Sequence, residues 1–288
     1  MTDRRSLELS HDDGVNAWRS SRIDPPSHLR RELYGYSDYW ERTGAFTVRR
    51  ELPHAEGVLI VNLGDPIAIT GGDGHVLHLK PGEAFVAGAH LRPALSQSNG
   101  TQAGIHVFLP LVTLRRLLAV PMDNLIDSVV PLDALLGRAA TEWGEALGSA
   151  PNVEARTAVL DRILADALLH APVLDPRQSR ALLLLRTQPD QDIAEIADAV
   201  GWSRKHLAAR VRDAIGVGPR SFRRLVRFQT LTGLIDSEER RPDWAGLAVD
   251  AGYYDQSHMI REFREFSDLS PSAYLARMLP DGGGLLEA

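Results

Sequence analysis

The spacing of hydrophobic positions changes along the chain, and the change divides it. Up to about residue 110 the apolar residues fall in short runs: Val58–Leu63, Ile67–Thr70, Val76–Leu79, Ala84–Ala87 and Gly104–Leu109. Turn-forming pieces separate them, namely Gly64-Asp65-Pro66, Gly71 to Gly74, Pro81-Gly82 and Gly88. Short strands at this spacing predict a small sandwich or barrel, β-rich over 45–110. From residue 111 the period becomes three to four, which predicts helices over Leu111–Val120, Leu132–Leu147 and Val153–His170. The last follows Pro151-Asn152 and carries a stripe of Val153, Val159, Leu160, Ile163, Leu164 and Ala167. Two readings of the stripe stand side by side: packing on its own domain, or the seam of a homodimer. The segment Ala171–Pro176 breaks the helical pattern. The chain therefore divides into a domain over 1–172, helical across 111–170, and an all-helical domain over 173–279. Residues 280–288 read as a flexible tail whose Pro280–Gly284 stretch frays.

The last third contains a repeat. Ile196, Ala197, Gly201 and Trp202 recur fifty-one residues on as Leu247, Ala248, Gly252 and Tyr253. Leu207, Val211 and Pro219 recur fifty-two residues on as Met259, Phe263 and Pro271. A small residue lets two helices approach, and a glycine four positions later ends the first helix in the left-handed conformation. The aromatic that follows plugs the core. Ser203 and Asp255 are placed to cap a second helix with Leu207 and Val211, or Met259 and Phe263, buried. This is helix-turn-helix spacing, given twice, with a long helix from Pro219 to about Ser237 between the two units.

Charge sharpens that picture. The 288 residues carry 32 basic and 38 acidic side chains, a net charge of −6, and neither half is broadly basic. Between Gly201 and Thr230, however, eight basic residues face one acid, Asp213, a local charge of +7. That stretch is suited to a polyanion. The chain has no cysteine, which removes disulfides, thiol nucleophiles and thiolate zinc sites. Its longest aliphatic run, Ala181–Leu185, is far too short to cross a membrane, and the N-terminus lacks the apolar core of a signal peptide. A cytoplasmic protein is expected.

On these residues the C-terminal region resembles the AraC/XylS family of transcription regulators. The resemblance covers roughly Arg177 to Met278, with its signature in Ala248, Gly252-Tyr253, Asp255-Gln256-Ser257-His258-Met259, Arg261, Phe263, Pro271 and Tyr274. Val211, where the family usually has phenylalanine, and Asp268, near its usual glycine, depart from the pattern. The resemblance implies an α+β protein: an N-terminal cupin-like sensor with a dimerisation helix, then seven helices that enter two successive major-groove segments of double-stranded DNA. It places Ser203, Arg204, Lys205, Ala208, Ala209 and Arg212 of the first unit on DNA. From the second it places Gln256, Ser257, Ile260, Arg261 and Arg264 there. Arg224 of the joining helix, with Arg220, Arg223 and Arg227, is a candidate phosphate contact. Arginine and lysine suit guanine, glutamine suits adenine, and alanine suits a thymine methyl. The +7 beside the first unit, against a neutral second unit, predicts that the first anchors and the second refines or faces RNA polymerase.

The N-terminal domain offers less. His54, His75, His78, His90, His106 and Glu83 raise the alternative of a metal-holding cupin enzyme. The two-residue gap in His75-x2-His78 sends those rings to opposite strand faces, so no metal and no cofactor are assigned. No catalytic triad, phosphate loop or nucleotide fingerprint can be assigned either. Trp18, Tyr34, Tyr36, Tyr39 and Trp40 are candidates to line an effector pocket or to fill the core. The expected function is a ligand-responsive transcription regulator, an activator by the habit of the family, with repression open. Its partners would be DNA, RNA polymerase, a small-molecule effector and a second copy of the chain. A metalloenzyme with a DNA-binding tail and a constitutive architectural DNA binder are the alternatives.

Overall fold

The computed structural model describes residues 4–189, 191–237, 242–278 and 285–287. The described residues hold eleven strands, ten of them ahead of the first helix: β1 Ser6–Asp12, β2 Ala17–Ile23, β3 Gly35–Arg42, β4 Thr47–Glu51, β5 Gly57–Asn62, β6 Ile67–Thr70, β7 Val76–Leu79, β8 Ala84–Ala87, β9 Ala94–Ser98, β10 Thr101–Leu109 and, after that helix, β11 Val129–Pro131. They form a seven-stranded sheet in the order β1-β2-β3-β10-β5-β8-β11 and a four-stranded sheet in the order β4-β9-β6-β7. Every pairing is antiparallel. Val58, Phe85 and Ala87 of the large sheet pack on Ile67, Ile69 and Leu79 of the small one. Leu59, Val61, Val86, Ile105 and Val107 face the opposite way, into a core shared with the helices. The central strands are thus buried on both faces, which is why they read as unbroken apolar runs.

Strands also lie where the β-rich stretch was not expected to reach. β1, β2 and β3 precede residue 45, and β4 and β9 carry sequences such as Thr-Val-Arg-Arg-Glu. β1, β2, β4 and β9 are outer or half-solvated strands, while β3 is an inner strand with buried Ser37, Asp38 and Glu41, and in both cases polar positions hide the alternation. Asp13-Gly14, with Gly14 at φ 87°, is the one local mark of the β1–β2 hairpin.

The helices that follow are α1 Leu111–Leu118, α2 Leu132–Leu136, α3 Arg138–Gly148 and α4 Val153–Leu169, with a 3-10 turn at Met122–Leu125. The single helix expected over Leu132–Leu147 is two, because Gly137 at φ 56° breaks it. Gly144 lets α3 lie directly on the β7–β8 turn, since a Cβ there would stand 1.8 Å from the Gly82 carbonyl oxygen. Asn152 caps α4 by accepting from the Ala155 amide at 2.8 Å. The α4 stripe divides in two. Leu160 and Leu164, expected at a dimer seam, are instead fully buried in this chain's own core together with Leu168. Val153, Val159, Ile163 and Ala167 remain half-buried.

Among the described residues seven helices follow: α5 Pro176–Thr187, α6 Ile193–Ala199, α7 Arg204–Ile215, α8 Pro219–Ser237, α9 Trp244–Asp250, α10 Gln256–Ser267 and α11 Pro271–Arg277. One apolar core runs through both domains. The expected fraying of Pro280–Gly284 lies outside the described residues. Residues 285–287, expected in a flexible tail, are instead docked. Leu286 bridges Arg49 of β4, Leu285 bridges Met278 and is buried, and the Glu287 carboxylate takes Arg50 at 2.6 and 2.9 Å. An apolar anchor and an ion pair outweigh the chain entropy there.

Candidate nucleic-acid interface

Two copies of one local frame build the site. In the first, Gly201 at φ 71° ends α6 and the Trp202 amide returns to the Ala197 carbonyl at 2.8 Å. In the second, Gly252 at φ 82° ends α9 and the Tyr253 amide returns to the Ala248 carbonyl at 2.8 Å. Trp202 and Tyr253 are both buried, each covered by an arginine, Arg177 at 5.4 Å and Arg227 at 5.2 Å from the ring centre. Each meets a histidine edge-on, His206 at 5.1 Å and His258 at 5.4 Å. Ser203 accepts from the His206 amide and Asp255 from the His258 amide, capping α7 and α10. The extra residue of the second unit is Tyr254, 91% exposed in the turn. Reading the sequence named His258 only within the signature and passed over His206, although their identical step from the two caps was there to find.

The inner face of each second helix is closed. Leu207, Val211, Met259 and Phe263 are fully buried. Val211, in place of the usual phenylalanine, leaves the first unit sealed all the same. Gly216 at φ 81° and Asp268 at φ 57° occupy matching positions after α7 and α10. Both need the left-handed conformation, which explains the glycine habit at Asp268.

The outer faces carry the residues expected to contact DNA. Ser203, Arg204, Lys205, Ala209 and Arg212 are exposed on α7, with Ala208 half-buried. Gln256, Ser257, Arg261 and Arg264 are exposed on α10, with Ile260 half-buried beside them. Each helix thus presents two or three cations on one side of a rigid frame.

Arg224 departs from this set. Its Nε donates to Glu262 at 2.7 Å, an Nη reaches Glu265, and the guanidinium lies 5.0 Å from the Phe266 ring centre. Arg227 donates to Glu262 at 3.2 Å, and His258 stands 3.9 Å from it. Glu262 is buried, so it must be matched by cations, and α8 supplies them. Arg223 donates to the Gln188 and Gln191 carbonyls. Much of the +7 is therefore structural, and the two units differ less in free charge than the sequence suggests. Arg220 stays exposed.

Residues 196–277 match a family model described as a helix-turn-helix domain. Over 112 residues the chain is 29% identical to a putative AraC-like transcription regulator of Streptomyces antibioticus, covering 38% of this chain and 36% of that one. The C-terminal region is a helix-turn-helix domain similar to that of the AraC-like relative. An uncharacterized HTH-type transcriptional regulator of Haemophilus influenzae is 27% identical over 121 residues, 41% of this chain and 40% of its own length. The chain thus spans about two fifths of the length of the curated relatives it matches. A crystal structure of ToxT from Vibrio cholerae is similar at 12% identity and a TM-score of 0.49, covering 80% of this chain and 96% of that one.

Around the helix-turn-helix domain, the remaining candidates fall as follows. His75 and His78 are exposed, and the Glu83 carboxylate closes its own turn by accepting from the Lys80 amide at 2.8 Å. His54, His90 and His106 meet in a cavity between the two sheets, with Trp18, Tyr39 and Trp40 in its wall. Tyr36 is instead core, hydrogen-bonded to Asp161 at 3.0 Å, and Tyr34 sits half-exposed against Arg186. Among the described residues no group of three or more histidines and carboxylates is arranged to hold a metal ion. Among them, too, no helix is long and apolar enough to cross a membrane.

Proposed function

We propose that the protein is a sequence-specific transcription regulator of the AraC kind, acting in the cytoplasm as an activator that contacts RNA polymerase. A small-molecule effector held by the N-terminal domain governs it. The observation that carries this reading is the repeated frame, which holds two capped helices with Arg204, Lys205 and Arg212 on one and Gln256, Arg261 and Arg264 on the other, all facing solvent. Two recognition helices fixed in one rigid domain suit two major-groove segments roughly one helical turn apart. The half-buried face of α4, Val153, Val159, Ile163 and Ala167, is what remains for pairing with a second copy.

Selection of binding sites from a random duplex pool, followed by affinity across a salt series, tests the reading. A motif with two blocks of contacts, bound orders of magnitude above random DNA, is the expected result. Steep salt dependence with no enrichment would leave only a nonspecific DNA binder.

A further inference from the structure

The cavity between the sheets carries chemistry that DNA reading does not use. It encloses about 340 Å³, walled by Trp18, Trp40, Ile60, Ile69 and Phe85. At its polar side stand three imidazoles. The Nδ1 of His54 lies 2.8 Å from the Glu56 carbonyl oxygen, and the Nδ1 of His90 lies 3.1 Å from that of Gly88. A carbonyl only accepts, so in both rings Nδ1 carries the proton. The second nitrogen, Nε2, is then a bare lone pair. The two rings are 5.9 Å apart, centre to centre. His106 stacks on Phe108 at 3.9 Å, and its Nε2 is buried with no partner.

Burial, with His90 alongside, takes His54 down to about 4, and burial also lowers His90. Burial and the neighbouring His54 take His106 to about 3. All three are neutral at pH 7. Arg49, beside them, is bonded through both terminal nitrogens to Glu41, so the charge there is already matched. Arg19, Arg22 and Glu51 line the same cavity, so charge of both signs borders it, but at the imidazoles an organic anion would meet lone pairs that have no proton to donate. A ligand without a donor would leave the imidazoles unpaired, which is costly in a dry site.

We infer that the cavity binds a small neutral ring compound bearing a hydroxyl or N–H donor, which it presents to His54 and His90 while its ring lies against the tryptophan-lined wall. This rests on the reading of the N-terminal domain as the effector domain, and it names the class of that effector. The volume suits a compound of roughly two fused rings.

Three probes of one shape separate the possibilities: 2-naphthol, a donor; 2-methoxynaphthalene, its methyl ether with no donor; and 2-naphthoate, an anion. Equilibrium dialysis against the full chain at pH 7 is expected to show 2-naphthol bound at least tenfold more tightly than either of the others. His54→Phe with His90→Phe should erase that preference. If the double variant does not melt cooperatively, the ranking of the three probes on the unaltered chain decides alone. Equal binding of all three, or tighter binding of the ether or the acid, overturns the donor requirement and leaves the effector reading standing. Binding of none overturns the cavity as a ligand site, and leaves DNA recognition to its own test.

Discussion

Glu262 shows how one side chain redistributes charge over a surface. Its carboxylate is 4% exposed, and Arg224 and Arg227 from α8 are drawn onto it. Glu262→Ala is expected to cost about 2 kcal/mol in denaturant unfolding. That is below the 3–5 of a fully buried pair, because the arginines left behind can reach water. Arg224 and Arg204 should then differ in kind. Arg204→Ala is expected to reduce the slope of log affinity for DNA against log salt by about 1, as for a lost phosphate or base cation. Arg224→Ala should leave that slope unchanged while lowering stability; a slope reduced as much as by Arg204→Ala would return Arg224 to the DNA face. A second residue-scale effect follows from the histidines. His54 and His106 titrate near 4 and 3 when folded but near 6.5 when unfolded. Below pH 6.5 the unfolded chain binds protons the folded chain refuses, so stability present at pH 7 is lost as pH falls toward 4. Thermal melting between pH 7 and 4.5, above the range where most carboxylates titrate, should show the loss. His106→Phe should flatten it by about one proton.

At the level of elements, what the sequence shows depends on how many faces of an element are buried. β5, β8 and β10, apolar on both sides, could be read directly, as could the two helix-turn-helix frames, where fixed steps between small, glycine and aromatic residues carry the geometry. β1, β2, β4 and β9 could not, since solvated polar positions blur the alternation, nor could β3, whose buried Ser37, Asp38 and Glu41 do the same. The α4 stripe was visible, but not its division between core and surface, because that depends on what the sheet brings against it. The convergence of His54, His90 and His106 was hidden for the same reason: they come from three separate segments. Close approaches are similarly silent in sequence, and Gly144 is the clearest. Gly144→Ala would drive a methyl into the Gly82 carbonyl, forcing α3 off the β7–β8 turn. We expect a loss of about 1–3 kcal/mol in thermal or denaturant unfolding, as for an overpacked core site. A variant as stable as the parent would mean that α3 can shift freely.

Across the whole molecule, the barrel domain grips the C-terminal ends of both recognition helices. Arg115 of α1 donates to the Asp213 carbonyl in the last turn of α7 and meets the Asp213 carboxylate at 2.9 Å. Arg50 of β4 donates to the Ser267 carbonyl at the end of α10 at 3.1 Å, and reaches Asp268 at 3.3 Å. A cation at a helix C-terminus is favoured by the dipole, so each contact positions a helix as well as tying two domains. Gly216 adds to the first grip, since a Cβ there would stand 2.6 Å from the Met122 carbonyl oxygen. The second is reinforced by Glu287, which the Arg50 guanidinium holds below the usual carboxylate range. β4 alternates: Arg49 lines the cavity while Arg50, its neighbour, holds α10. Strand geometry sends adjacent side chains to opposite faces, so β4 borders the cavity with one residue and holds the second helix with the next. Arg50→Ala with Arg115→Ala should therefore separate the domains mechanically while sparing each fold. The single cooperative melt expected of the parent should split into two transitions, and proteinase K, which cuts after aliphatic residues such as Val173 and Leu174, should cut between residues 170 and 176 faster. If the double variant still melts as one unit, the shared apolar core and contacts such as Arg186–Glu56 join the domains, and the two arginines only orient the helices.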